Sequence, residues 1–214
     1  PVKTMVQRHV ETFEKLGFSI DLTSPNFPEK AKLSENILKI SGEKENFHWI
    51  GIAPFAQYES KVYPTDLMQK VIDKLSSNSN NNIFLFGGGT KEIEILNRFT
   101  QGKENVINLA GKFPFQEELQ FISNLEVMLS MDSGNAHIAA MLGVNVITLW
   151  GATHPFAGFA PFNQPLENCL TSDRNRYPLL PTSVYGNKKV TGYEDAMRTI
   201  SPETIVDKIQ NFIK

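Results

Sequence analysis

Two periods of apolar residues alternate along most of the chain. From Trp49 onward, short apolar runs of strand length are separated by stretches in which apolar residues recur every three or four positions. The runs are Trp49–Ala53, Ile83–Phe86, Val106–Leu109, Val127–Ser130 and Val146–Leu149; the helical stretches are Asp66–Leu75, Lys91–Phe99, Gln116–Ser123 and Ala136–Leu142. Strands alternating with helices in this way predict right-handed βαβ crossovers, hence an α/β fold: a Rossmann-like parallel sheet with helices on both faces. A half-Rossmann strand order of 3-2-1-4-5 follows, in which the winding reverses between the first and fourth strands and ligands bind at that switch point.

The flanks read differently. Met5, Val6, Val10, Phe13 and Leu16 share one helical face, which Gly17 ends, and Phe18–Leu22 has the pattern of a short strand. Thr23 to Glu45 is rich in proline, serine, lysine and glutamate, with one apolar burst at Ile37–Ile40, and is read as a connector. Pro161 to Tyr193 shows little regular pattern, as functional or covering segments do. Ser201-Pro202 opens a final amphipathic helix through Ile205, Val206, Ile209, Phe212 and Ile213. The division is then 1–47 as the end of a preceding domain with its connector, 48–200 as the Rossmann-like domain, and 201–214 as a C-terminal helix.

Composition narrows the classes of function. At 214 residues the chain can build one sizeable core with an attached piece, and 41% hydrophobic with 21% charged residues is an ordinary globular balance. A net charge of −2 leaves no electrostatic footprint for nucleic acid, and the cluster Arg174, Arg176, Lys188, Lys189 reads as a solvated face. No apolar run approaches the roughly 18 residues of a membrane span. The single cysteine, Cys169, excludes an internal disulfide framework and a multi-cysteine metal site, and fits a reducing cytoplasm. A chain beginning at Pro1 is read as a processed or truncated piece.

The candidate chemistry gathers at the expected switch point. Met131-Asp132-Ser133-Gly134 links a strand to a helix through a polar turn in which Asp132 or Ser133 can cap, Gly134 admits a ligand to the backbone, and free N–H groups attract an anion such as phosphate. His137 lies one turn further in. The loop Pro54 to Lys61 should face this turn and bring the Lys61 ammonium to the same anion. Gly87-Gly88-Gly89 matches neither a dinucleotide fingerprint nor a Walker A loop, but its place after the second strand suits a sugar or base, with Glu92 available to ribose hydroxyls. Thr153 and His154, in the glycine- and aromatic-rich loop after Trp150, sit where they could reach the same ligand.

Ala53-Pro-Phe-Ala with Lys61-Val-Tyr-Pro64, Phe86-Gly-Gly with Glu92, Asp132-Ser-Gly-Asn-Ala-His137-Ile-Ala-Ala, and Trp150-Gly-Ala-Thr-His-Pro155 together resemble the carboxyl-terminal half of the ADP-heptose:lipopolysaccharide heptosyltransferases. The resemblance runs in order from about Met5 to Phe212. It implies the C-terminal domain of a GT-B glycosyltransferase that binds a nucleotide-sugar donor, ADP-heptose, while a lipopolysaccharide-core acceptor and the general base belong to a domain this chain lacks. Lys61 would then bind donor phosphate, Glu92 ribose, and Asp132, Ser133 and Gly134 the phosphates and sugar, with Gly87, Gly88, Met131, His137, Thr153 and His154 completing the donor site. Relatives carry threonine where this chain has Ser133, and some carry cysteines across Leu179–Ala196 where this chain has Leu, Thr, Val and Ala, so no metal or cofactor is expected. The implied reaction is inverting, metal-independent transfer in the cytoplasm or peripherally at the inner membrane, the isolated chain binding donor but turning over poorly or not at all. A sugar-nucleotide epimerase of the same fold, a non-catalytic nucleotide-sugar-binding module and a scaffold without a small-molecule site are the rival readings.

Overall fold

The computed structural model describes residues 1–213. Six parallel strands form one sheet in the order β3-β2-β1-β4-β5-β6. They are β1 (His48–Ala53), β2 (Asn81–Leu85), β3 (Val106–Asn108), β4 (Val127–Met131), β5 (Asn145–Trp150) and β6 (Cys169–Thr171). The five expected strands and their order are present. The sixth is new: three residues that pair with β5 from Thr148↔Cys169 to Trp150↔Thr171. A three-residue edge strand is too short to show a period in sequence.

The helices are α1 (Met5–Lys15), α2 (Glu35–Ser41), α3 (Thr65–Ser76), α4 (Gly89–Phe99), α5 (Phe115–Ile122), α6 (Gly134–Met141) and α7 (Pro202–Gln210). Successive strand residues point to opposite faces, and the core divides accordingly. Ile50, Ile52, Ile83, Leu85, Leu129 and Leu149 meet apolar residues of α3, α4 and α7. Trp49, Ala53, Phe84, Phe86, Met128 and Val146 meet α2, α5 and α6. On the second face Phe121 stacks on Trp49 at 5.0 Å between ring centroids and meets Phe84 edge-on at 4.7 Å. Small residues Ala136, Ala139 and Ala140 let α6 lie close on the sheet.

Phe18–Leu22 is not a strand. Its backbone finds no partner strand, and the Asp21 carboxylate instead accepts from the backbone N–H of Thr23 at 2.8 Å and from its hydroxyl at 2.7 Å, a local turn that competes with extended pairing. The stretch read as a connector is laced to the sheet's second face. Ile37 is fully buried there, Glu117 accepts from Ser34 and Asn36, and Lys44 donates to the carbonyl of Asn124 at 2.7 Å. Helix α1 has a complete capping box between Thr4 and Gln7 but buries none of its residues. It is tethered by Val2 N–H to Phe156 C=O at 3.0 Å and Met5 N–H to Gly158 C=O at 2.8 Å.

Ala53 at the end of β1 pairs with Ser130 of β4. The loops leaving these two central strands therefore start side by side, and this is where the sheet's winding reverses.

Candidate functional site

The turn between β4 and α6 differs from the expected cap. Ser133 is the N-cap residue, but no side chain accepts from the first N–H groups of α6. The reason lies in the partners taken up instead. Asp132 Oδ2 is 2.9 Å from Lys61 Nζ and accepts from Thr153 Oγ1 at 2.8 Å, while the Ser133 hydroxyl pairs with Ser130 Oγ at 3.1 Å. The helix start is left uncapped, with N–H groups and the positive end of its dipole available to an anion.

Lys61, Asp132 and Thr153 thus form one cluster, gathered from the loop after β1, the end of β4 and the loop after β5. The side chains of Lys61 and Asp132 are only 13% and 10% exposed, so the pair is largely removed from water. Removing one partner of such a pair leaves an uncompensated charge. Asp132→Ala is expected to lower stability by about 3 kcal/mol and the melting temperature by roughly 6–12 °C, read by thermal denaturation.

His137 stands beside this cluster. Burial pushes its imidazole below the usual value; the Asp132 carboxylate opposes that shift and the Lys61 ammonium adds to it. The folded pKa is depressed, so the unfolded chain takes up the proton first. Stability is then fully present above the ordinary imidazole pKa of about 6.5 and falls as pH drops from there toward the folded value. His137→Asn should flatten this acid-side loss in denaturant midpoints compared at several pH values. His154 contributes a slope of the same sign, since burial, Arg174 and the N-terminal amine all lower its pKa.

Next to the uncapped helix start is an open cleft of about 330 Å³. Phe55, Ala56 and Gln57 after β1, Phe86, Gly87, Gly88 and Glu92 around the start of α4, and Ser133, Gly134, Asn135 and Ile138 of the α6 turn line it. Glu92 Oε2 accepts from the Gly88 N–H at 2.8 Å, fixing the glycine turn. A Cβ at Gly87 would stand 3.0 Å from Glu92 Oε2 and 3.2 Å from Phe55 Cδ2, so glycine keeps the floor of the cleft open.

Glu118 of α5 also lines the cleft and has no counterpart among the sequence-derived candidates. No hydrogen bond reaches its carboxylate among the described residues, and burial raises its pKa. Its neighbour Glu117 faces the other way, toward Ser34 and Asn36. Nothing in two adjacent first-turn acids distinguishes one from the other before the helix is placed.

Gly87, Gly88, Glu92, Ser133 and Gly134 come together in the cleft; Lys61, Asp132 and Thr153 gather with His137 at the residue before Ser133 and are not among the side chains that line it. Met131 is fully buried, its sulfur accepting from the Tyr63 N–H at 3.2 Å. The His154 Nδ1 accepts from the Phe156 N–H at 3.2 Å and its ring packs on Phe156 at 4.8 Å, so its side chain is engaged in the 3-10 turn Pro155–Ala157 and lines no part of the cleft.

The sequence profile of glycosyltransferase family 9 (heptosyltransferase) matches residues 1–198. The chain belongs to this family. Lipopolysaccharide heptosyltransferase 3 of Escherichia coli K12 is 29% identical over 184 residues, covering 83% of this chain and 52% of its own length. Among family 9 and heptosyltransferase structures, E. coli heptosyltransferase WaaC with ADP superposes with a TM-score of 0.67 at 20% identity, over 96% of this chain and 56% of that one. The glycosyltransferase family 9 protein of Veillonella parvula gives a TM-score of 0.73 at 17% identity, over 99% of this chain and 60% of that one. The six-stranded parallel sheet and its helices are thus the fold of the GT-B heptosyltransferases, and the chain spans about half the length of the curated relatives it matches. No helix among the described residues is long and apolar enough to cross a membrane.

Proposed function

We propose that this chain is the donor-binding half of a heptosyltransferase, holding ADP-heptose in the cleft at the switch point. Residues 1–47 serve as the end of a preceding domain and its connector, 48–200 as the nucleotide-sugar-binding domain, and the segment from 201 onward, which holds α7 (Pro202–Gln210), as the piece that closes it. The observation that carries the reading is the Lys61 ammonium, held by Asp132 directly before an uncapped helix start. A diphosphate placed there meets a fixed cation and free N–H groups at once. Phe55, Phe86 and Ile138 offer apolar walls to a base, and Glu92 and Glu118 offer carboxylates to ribose hydroxyls or base amino groups.

In transfer, the bond between the anomeric carbon and the donor phosphate breaks and the nucleoside diphosphate leaves with added negative charge. Lys61 and the α6 N–H groups stabilise that charge, the same electrostatic role that donors play at an oxyanion. The group that deprotonates the acceptor hydroxyl, and the lipopolysaccharide-core acceptor itself, belong to the part of the enzyme outside this chain. An enzyme of this kind would work in the cytoplasm, or peripherally at the inner membrane; no helix among the described residues is long and apolar enough to cross a membrane.

Calorimetric titration with ADP, ADP-heptose, UDP and GDP tests the reading. Preference for the adenine nucleotides supports it, and equal or absent binding of all four contradicts it. ADP-heptose converted without any acceptor would point instead to an epimerase.

A further inference from the structure

The irregular segment between β6 and α7 carries one buried residue at a loop tip: Gly186 is buried while Tyr185 and Asn187 on either side are exposed. Its backbone lies against Lys61. A Cβ at position 186 would stand 2.6 Å from Lys61 Cδ, 2.8 Å from Lys61 Cγ and 3.2 Å from Thr153 Cγ2. The Gly186 carbonyl accepts from Ser60 Oγ at 2.6 Å, which pins the tip to the residue preceding Lys61.

The other side of Ser60 is fixed as well. Its carbonyl accepts from the Ala152 N–H at 3.1 Å, and a Cβ at Gly151 would come within 2.5 Å of that same oxygen. The loop is closed by Thr182, whose N–H donates to the Ala152 carbonyl at 2.9 Å and whose hydroxyl donates to the Lys188 carbonyl at 2.9 Å. Lys61 therefore leaves a clamped backbone and runs beneath a clamped loop, with its ammonium emerging at Asp132.

We infer that Gly186 is a positioning residue for Lys61: its backbone restricts the lysine methylenes so that the ammonium is already aimed at the ligand phosphates before they arrive. The inference rests on the proposal that Lys61 binds the donor diphosphate. A long, flexible side chain ordered in advance loses less entropy on binding. A side chain at 186 is disfavoured twice, by the space that Lys61 fills and by a φ of +77°.

The test is titration of the 214-residue chain and its variants with ADP and with adenosine, which lacks phosphates. Gly186→Ala should weaken ADP binding about tenfold while leaving adenosine binding unchanged, and should cause no further loss in a Lys61→Ala background. Ser60→Ala, which removes the pin without straining residue 186, should give a loss of about threefold with the same phosphate dependence. Equal weakening of ADP and adenosine, a loss that adds to that of Lys61→Ala, or no loss from either variant would overturn the inference. If ADP binding depends on Lys61 but on neither Gly186 nor Ser60, the positioning role alone fails. If the unsubstituted chain binds neither ligand, the donor-site reading fails with it.

Discussion

Lys61→Ala is expected to weaken ADP binding about a hundredfold, the scale on which truncating one partner of a largely desolvated charge pair acts on affinity. Two effects add. The cation that meets the diphosphate is lost, and the Asp132 carboxylate, now held only by Thr153, is left as a bare negative charge beside the phosphates. Lys61→Arg should restore only part of the affinity. The guanidinium keeps the charge, but its planar fork is larger than the ammonium that sits on Asp132 Oδ2 beside the Thr153 hydroxyl, on a stem already packed against Gly186. Calorimetry at two salt concentrations checks both variants. A loss of less than about threefold in Lys61→Ala would mean that the lysine is a structural partner of Asp132 and no more.

Phe121→Ala should be the most damaging single truncation for stability, at about 4 kcal/mol, which lowers the melting temperature by roughly 8–16 °C. Phe121 is the hub of the second face. It contacts Trp49, Phe84, Phe86 and Phe113 with ring centroids between 4.7 and 6.1 Å. It is fully buried where α5 crosses the sheet, and the α2 side chain Ile37 packs into the same core. A cavity there removes one wall from several aromatic contacts at once. Urea denaturation reads the effect as a shift in midpoint at unchanged slope. Because Phe86 packs in this core and Glu118 shares α5 with Phe121, both lining the proposed donor cleft, nucleotide affinity should fall as well, by less than in Lys61→Ala.

The sheet was legible because its period is imposed by burial. A parallel strand covered on both faces must be apolar along its length, and the helices between strands must present one stripe to it. Where burial is one-sided or local, the pattern misled. Phe18–Leu22 is apolar enough for a strand, yet Asp21 turns the chain back on Thr23. Ile37 looks like an isolated apolar burst until Trp49 and Phe121 are placed beneath it.

The meeting of the loops after β1 and β4 was legible together with the topology. Once β1 and β4 are central, Lys61 and Asp132 must face each other, and they form an ion pair. What the spacing of residues could not give was the choice of partner. Asp132 has the right type and place to cap α6 but takes Lys61 and Thr153 instead, and Ser133 takes Ser130. Glu118 and Gly186 were invisible for a related reason. Each reaches its neighbours from a distant segment, α5 in one case and a long irregular loop in the other.

The most direct test is a crystal structure of this chain with ADP. The expected result is the diphosphate at the start of α6, accepting from the N–H groups at Gly134 and Asn135 and from Lys61 Nζ, with the ribose toward Glu92. Nucleotide bound elsewhere, with the Lys61–Asp132 pair undisturbed and the helix start open, would contradict the assignment of this cleft as the donor site.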